Sequence, residues 1–152
     1  MKIFKPEVVS FIKQEFGILA EYAEGKRTCK RKAVGCSIIE IHTRLPGVNR
    51  IVLSHNGPSG FENECSGVVG NCGCSHAEPR AVFKYLNKLK KDYGDCLWSI
   101  MICNYSPCTN CANIIVDSGI ITAVVYKILT EHDIRGVEIL KRSLDIFSIT
   151  EL

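Results

Sequence analysis

Two short segments of this chain place metal-binding side chains where two helices are predicted to begin. The first, SHAEP, contains His76 and Glu78, and the second, SPCTNC, contains Cys108 and Cys111. Each segment includes a proline, which a helix tolerates only in its first turn. A fold that brings these two helix starts together gives one ion a histidine and two cysteine ligands.

The second segment predicts a helix with Ser106 as the N-cap and Pro107 at the first helical position. Cys108 and Cys111 would then share one helix face, where both sulfurs can bind the same ion. The positive end of a helix lowers the pKa of a thiol, so thiolates form readily there. Taken alone, C-x-x-C is a weak indication, since a structural half-site or two buried cysteines would leave the same pattern.

The first segment also has a purely structural interpretation. Ser75 and Glu78 are spaced as a capping box, in which Glu78 would only bond the backbone. The joint pattern of H-x-E followed about 30 residues later by P-C-x-x-C is instead typical of zinc-dependent deaminases. Three protein ligands leave the fourth tetrahedral position to water, whose pKa zinc lowers toward ~7. Glu78 would carry the proton of that water to the substrate ring nitrogen and then to the departing amine.

Composition indicates one globular domain, and the mild net charge decides little about its function. The 152 residues are 46% hydrophobic and 23% charged, which suits a single domain spanning 1–152 with a buried core. A net charge of +3 does not demand a nucleic-acid groove. No secretory signal is evident, and no apolar run approaches the roughly 20 residues that span a bilayer, so we expect a cytoplasmic protein without a membrane partner. In that reducing compartment nine cysteines favour metal thiolates over disulfides.

Hydrophobic periodicity predicts an α/β fold. A helix at 6–24 precedes two strands at 33–41 and 50–55, which a turn containing Pro46 and Gly47 would join as a hairpin. Helices are then predicted at 76–91, 107–118 and 131–143, and strands at 96–104, 120–127 and 144–149. This alternation implies parallel pairing and a three-layer α/β/α sandwich.

A second group of cysteines surrounds an aperiodic loop at 56–75: Cys29, Cys65, Cys72 and Cys74. The spacing of Cys72 and Cys74 is tighter than in the usual zinc knuckle, so the spacing alone is only suggestive. A closed structural zinc would explain how a loop of this length stays ordered, whereas the alternative is buried or free thiols. Three further cysteines are predicted to pack in the core, within apolar strands: Cys36, Cys96 and Cys103.

Taken together, several segments resemble the cytidine and deoxycytidylate deaminase family, most closely its deoxycytidylate (dCMP) deaminases. They cover most of residues 28–126 and read TCKRKAVGCSII, HNGPSG, SHAEPRAV and YSPCTNCANIIVDSGIITAVVY. The resemblance implies a central five-stranded mixed sheet flanked by helices. It also implies catalytic zinc on His76, Cys108 and Cys111, with Glu78 as the proton shuttle. The implied reaction is hydrolytic deamination of dCMP, or of a 5-modified dCMP, to the dUMP analogue and ammonia, a step of pyrimidine nucleotide biosynthesis.

The resemblance extends to residues around the substrate and to the second group of cysteines. Asn56 matches an asparagine that contacts the substrate sugar, although Asn-Gly is also a common turn pair, and Ala77 is expected beside the substrate. Some viral members bind a structural zinc through cysteines at the positions of Cys29 and Cys65. The stretch that supplies their remaining ligands carries Cys72 and Cys74 here, which makes a second zinc the expectation.

Two positions depart from the family pattern. Arg80 stands where an asparagine is common, and His55 replaces a common tyrosine. An arginine at position 80 could pair bidentately with a phosphate or mark a different nucleotide, including a 5-modified dCMP. The basic run KRTCKRK at 26–32 supplies Arg31 as the other predicted phosphate ligand, while such runs are otherwise solvated faces.

Two alternative functions stay open at this point. A polynucleotide deaminase, acting on tRNA adenosine or single-stranded DNA cytosine, would flip a base into the same pocket. The modest charge and the absence of an evident basic or aromatic extension count against it, so nucleic acid is not an expected partner. A zinc-stabilised binding module, in which Glu78 only caps its helix, is the non-enzymatic alternative. The family further implies a homo-oligomer, commonly a hexamer, and regulation by dCTP and dTTP, neither of which the sequence decides.

Overall fold

A computed structural model describes residues 4–42, 47–58, 64–68, 72–88 and 96–152, without the side chains of Cys96 and Leu97. Within these ranges the α-helices are α1 (Pro6–Gly25), α2 (Ala77–Lys88), α3 (Thr109–Ser118) and α4 (Ile134–Lys141). The strands are β1 (Gly35–His42), β2 (Val48–His55), β3 (Gly57–Pro58), β4 (Cys74–Ser75), β5 (Cys96–Tyr105), β6 (Ala123–Ile128) and β7 (Asp145–Ser148). The predicted turn residue Pro46, helix residues 89–91 and the packing of Cys96 lie outside this description.

Five strands form the main sheet in the order β2-β1-β5-β6-β7. The β1 strand is antiparallel to both β2 and β5, whereas β5, β6 and β7 run parallel to one another. The predicted hairpin, the parallel pairing in the second half and the five-stranded mixed sheet are therefore confirmed. A separate two-stranded sheet pairs β3 with β4 inside the loop that was predicted to be aperiodic.

Helices cover both faces of the main sheet, as predicted, because successive strand residues alternate between the two sides. On one face α1 buries a stripe against the sheet, formed by Ile12, Phe16 and Leu19 with Ile39, Ile100, Ile102 and Val125. On the other face α2, α3 and α4 bury Ala81, Tyr85, Ala112, Ile115 and Leu140 against Ile38, Met101 and Val124. No helix of the described ranges is long and apolar enough to cross a membrane.

One edge of the sheet collects the segments that the sequence singled out. Cys36 near the start of β1 pairs with Cys103 near the end of β5, and Gly35 pairs with His55 at the end of β2. The chain leaves β5 at Tyr105 and enters α3 a few residues later. Three segments therefore meet at this edge: the approach to β1, the loop after β2 and the turn before α3. Ligands bind at this kind of edge in open α/β sheets.

The start of α3 differs from the prediction. The helix begins at Thr109 with Cys108 as its N-cap, so Ser106 is not the N-cap and Pro107 is not the first helical residue. The backbone N–H of Ser106 donates to the Ile128 carbonyl at 2.8 Å, which keeps Ser106 in register with β6 rather than in the helix. Its hydroxyl instead donates to the buried carboxylate of Asp133 at 3.4 Å.

Candidate metal centres and active site

The first candidate metal centre consists of His76, Cys108 and Cys111, whose ligand atoms all lie within 4.8 Å of one another. His76 directly precedes α2, Cys108 is the N-cap of α3, and Cys111 lies in the first turn of α3. The Nδ1 atom of His76 is 3.2 Å from the Cys111 sulfur and 3.6 Å from the Cys108 sulfur. Ligands 2.0–2.3 Å from one tetrahedral zinc ion lie about 3.5 Å apart, so this donor set fits zinc without rearrangement.

The protonation states of this centre fit a set of thiolate ligands. A hydrogen bond from Cys111 lowers the pKa of the Cys108 thiol to about 3. The same bond raises the pKa of Cys111, and the contact with Cys108 raises the pKa of His76. Metal ligands bind as thiolates and neutral imidazole, so a thiol whose pKa is low favours metal binding at this centre. Because His76 is exposed whereas Cys111 is buried, the centre opens to solvent on one side.

Glu78 lies beside these ligands in the first turn of α2, and its side chain is only 3% exposed. Its Oε2 atom accepts a weak hydrogen bond from the Cys111 sulfur at 3.7 Å. Burial raises the pKa of this carboxyl above its usual range. The geometry therefore favours a role at the metal centre, and proton transfer by Glu78 stays a prediction.

Asn56 holds the approach to β1 in place. Its Nδ2 atom donates to the Lys32 carbonyl at 2.9 Å, and its Oδ1 atom accepts from the Val34 backbone N–H at 2.9 Å. It is 8% exposed at the edge of the sheet where the metal centre lies. Ala77 is fully buried, and its carbonyl accepts from the Ser54 hydroxyl at 2.6 Å. Contacts of Asn56 and Ala77 with substrate stay predictions.

Arg80 is hydrogen-bonded to the end of β2 and the loop that follows it. Its terminal nitrogens donate to the carbonyls of His55, Gly57 and Pro58 at 3.0, 2.8 and 2.9 Å. This favours a role in shaping the loop over the predicted pairing with phosphate. The other predicted phosphate ligand, Arg31, has an exposed side chain.

Lys32 is the residue at this edge that sequence reasoning missed. Its ammonium lies 4.5 Å from the centroid of the Tyr105 ring, and the side chain is half-buried. In the sequence, Lys32 is distinguished by its position as the last basic residue before the AVG segment that leads into β1. Composition does not distinguish exposed from half-buried members of a basic run, so Lys32 could not be preferred to Arg31 from the sequence.

The second candidate metal centre brings together all four predicted cysteines, whose sulfurs lie within 4.8 Å of one another: Cys29, Cys65, Cys72 and Cys74. The Cys65 and Cys29 sulfurs are 3.8 Å apart, and both side chains are buried. The backbone N–H of Lys30 donates to the Cys65 sulfur at 3.3 Å and is the main cause that lowers the pKa of this thiol to about 6. Four sulfurs of which one ionises readily form a closed donor set that fits structural zinc.

The remaining described cysteines pack in the core, as predicted. Cys36 and Cys103 are fully buried partners on β1 and β5, with their sulfurs 3.6 Å apart. Burial raises the pKa of Cys36, and the hydrogen bond with Cys36 raises that of Cys103, so both stay neutral thiols.

Solved structures similar to this chain include deaminases. The chain is similar to the dCMP deaminase from the cyanophage S-TIM5 in apo form, at 24% identity and a TM-score of 0.66, covering 95% of this chain and 99% of that one. The same enzyme in complex with dCMP and dUMP gives 24% identity, a TM-score of 0.68, and coverage of 95% and 98%. The Rib2 deaminase from Aspergillus oryzae gives 12% identity, a TM-score of 0.63, and coverage of 89% and 82%. At these identities the likeness shows the fold.

The family is shown by a sequence match to a family model that covers more than half of the chain. No curated protein sequence matches the chain significantly. Residues 12–128 match the family model described as the cytidine and deoxycytidylate deaminase zinc-binding region, and this range includes His76, Glu78, Cys108 and Cys111. The chain therefore belongs to the zinc-binding cytidine and deoxycytidylate deaminase family.

Proposed function

We propose that this chain hydrolyses the amino group of dCMP, or of a 5-modified dCMP, to give the dUMP analogue and ammonia. One observation carries the proposal: the buried Glu78 carboxylate lies against an open set of three zinc ligands, 3.7 Å from the Cys111 sulfur. A closed structural site would need neither the open side nor a buried carboxyl. The fold shared with the cyanophage dCMP deaminase supports a mononucleotide substrate.

The ion would be held by His76, Cys108 and Cys111, whose donors are already gathered at the starts of α2 and α3. Zinc held by three protein ligands acts as a Lewis acid and makes water a nucleophile at neutral pH. The chain contributes the geometry, because the N-cap position of Cys108 and the first-turn position of Cys111 fix both sulfurs on rigid backbone.

Glu78 would move the protons of the reaction. Its raised pKa allows the carboxylate to take a proton from water near neutral pH and to release it again. The proton passes first to the ring nitrogen of cytosine and a further proton then goes to the amino group, which leaves as ammonia. One water is consumed, one C–N bond breaks and one C–O bond forms, so the atoms balance without any other co-reactant.

Asn56 would place the sugar of the substrate beside this carboxylate. Both atoms of its amide already bond the backbone at 32–34, which fixes the orientation of the side chain. An amide oxygen accepts two hydrogen bonds and an amide nitrogen donates two, so each atom keeps one further position for a hydroxyl. Arg80 would act indirectly, by holding the carbonyls of the loop that carries Asn56 and Gly57.

The decisive variant is Glu78→Gln, which keeps the size of the side chain but removes its proton-accepting charge. We expect turnover of dCMP to fall by roughly 10²–10⁴-fold, the usual contribution of a positioned acid-base group, with zinc content unchanged. The measurement combines metal analysis with an ultraviolet assay against dCMP, 5-methyl-dCMP, 5-hydroxymethyl-dCMP, deoxycytidine and guanine.

Glu138→Gln on α4 is the matched control, because Glu138 is exposed and should tolerate the same chemical change. Full activity of the Glu78→Gln variant would reject the catalytic proposal and favour a role in helix capping. Zinc-loaded wild-type protein that turns over no mononucleotide, but does deaminate tRNA or single-stranded DNA, would reject the substrate class only.

A further inference from the structure

The ammonium of Lys32 lies over the face of the Tyr105 ring, 4.5 Å from its centroid. A cation in this position is attracted by the negative face of the aromatic ring. Lys32 is also half-buried, whereas its neighbour Arg31 and the earlier members of the basic run, Lys26 and Arg27, are exposed. The last lysine of the run is therefore turned toward the protein rather than toward bulk solvent.

The backbone around Lys32 is fixed by two buried amide side chains. The Lys32 carbonyl accepts from Asn56, and the next carbonyl, that of Ala33, accepts from Nδ2 of Asn104 at 3.1 Å. The backbone N–H of Gly35 donates to Oδ1 of Asn104 at 2.9 Å. Because both amides are only 8% exposed, the peptide that carries Lys32 has little freedom to move away from the edge of the sheet.

Both partners of Lys32 connect it to the candidate active site. Asn56, which bonds its carbonyl, is the residue proposed to contact the substrate sugar. Tyr105, which supports its ammonium, ends β5 three residues before Cys108. Lys32 therefore lies beside two segments that border the candidate active site, where its ammonium can attract an anionic group of a bound ligand.

The two phosphate ligands predicted from the sequence, Arg80 and Arg31, are less suited to binding an anionic group. Arg80 already donates to three carbonyls, and breaking those bonds would disturb the loop that it holds. The Arg31 side chain is exposed rather than packed against the site. Lys32 combines a fixed backbone, an aromatic support and an ammonium with three donors, none of which the ring contact consumes.

We propose that Lys32, held over Tyr105, binds the 5′-phosphate of the substrate and so makes the enzyme prefer a nucleotide to a nucleoside. This inference rests on the proposed deaminase function and adds the residue that recognises the substrate charge. Lys32 is a binding residue and takes no part in proton transfer.

The test compares dCMP with deoxycytidine in the Lys32→Gln variant of the zinc-loaded protein. We expect kcat/KM for dCMP to fall roughly ten- to a hundredfold, the range for a lost hydrogen bond to a charged group, mainly through KM. The value for deoxycytidine should stay unchanged, because that substrate has no phosphate. Lys32→Arg should keep most of the preference, and Lys26→Gln, an equal charge change at an exposed site, should match the wild type.

Calorimetric binding of dUMP and deoxyuridine gives a second readout that does not depend on turnover, and dUMP alone should bind more weakly to Lys32→Gln. Equal losses for both substrates would overturn the inference and make Lys32 a structural residue. An unchanged kcat/KM for dCMP would overturn it as well, while leaving the deaminase function intact. A wild-type protein that deaminates no cytosine nucleotide would reject the proposed function itself, and with it this inference.

Discussion

A single residue, Gly136 on α4, determines how closely that helix approaches a predicted zinc ligand. A Cβ atom at this position would lie 2.2 Å from the Pro107 carbonyl oxygen and 2.7 Å from the Cys108 carbonyl carbon. Both distances are far inside van der Waals contact, and both atoms belong to backbone that cannot rotate away as a side chain can. The turn before α3 therefore keeps its position only while residue 136 has no side chain.

We expect Gly136→Ala to displace Cys108 and to lower zinc content at the catalytic centre by a large fraction. Overpacking of this kind typically destabilises by about 1–3 kcal/mol. The control is Gly17→Ala on α1, whose added Cβ meets nothing within 4 Å and should stabilise the helix by about 0.5–1 kcal/mol. Metal analysis and urea unfolding of both variants measure the two effects, and a Gly136→Ala protein with full zinc and wild-type stability would contradict the steric argument.

Some residues of the candidate site could be predicted from the sequence, and others could not. His76, Cys108 and Cys111 were predictable because H-x-E and P-C-x-x-C are each recognisable in a few consecutive residues and because their joint occurrence is typical of zinc-dependent deaminases. The importance of Lys32 and Gly136 depends on contacts with Tyr105 and the turn before α3, which lie far away in the chain. No local pattern encodes such contacts. For the same reason, the sequence does not indicate which backbone carbonyls Arg80 contacts.

At the scale of elements, periodicity predicts which segments are helices and strands, but tertiary hydrogen bonds set some of their ends. The long amphipathic pattern of α1 was predicted almost to its last residue, since one continuous apolar stripe defines it. The start of α3 was not, because the hydrogen bond from Ser106 to Ile128 extends the sheet at the expense of the helix. A helix can therefore begin later than its capping residues predict, when the backbone of those residues is hydrogen-bonded to a neighbouring strand.

An ion pair between a buried glutamate and an exposed arginine attaches α1 to the edge strand β2. The Glu15 carboxylate on α1 is 1% exposed and accepts from Nε and Nη2 of Arg50 on β2, with the shortest contact at 2.6 Å. This hydrogen-bonded pair raises the pKa of Arg50. A carboxylate at such depth is tolerated only because it is paired, so the two residues depend on each other.

We therefore expect Arg50→Met to destabilise the protein by about 3 kcal/mol, because it leaves a charge buried without a partner. The double variant Glu15→Leu, Arg50→Met should recover most of that loss, since it buries no charge. Glu24→Gln breaks the exposed pair with Arg27 and should cost less than about 1 kcal/mol. Urea unfolding in the presence of zinc gives all three values, and equal losses in the single and double variants would show that packing rather than charge dominates.

At the scale of the whole molecule, the second candidate centre connects the segments that build the first. Cys29 lies three residues before Lys32 and six before β1, while Cys74 lies two residues before His76. Cys65, from the loop between β3 and β4, lies in the same cluster as Cys29 and Cys74. The pairing of Pro58 with Cys74 holds the loop after Asn56 beside this cluster. A metal ion in this cluster would order the loop that follows β2 together with the start of α2, so its effect on activity would be indirect.

This arrangement predicts two zinc ions per chain with separable effects. Cys29→Ser should remove one ion, lower Tm by several degrees and expose the 56–75 loop to limited proteolysis, while the remaining ion stays at His76. Cys108→Ser should remove the other ion and abolish turnover, yet leave the loop as resistant to protease as in the wild type. Metal analysis, thermal unfolding and proteolysis of the two variants form one matched comparison. A wild-type protein with a single zinc, retained in Cys29→Ser, would show that the four cysteines pack as thiols and that hydrogen bonds such as those of Arg80 order the loop without metal.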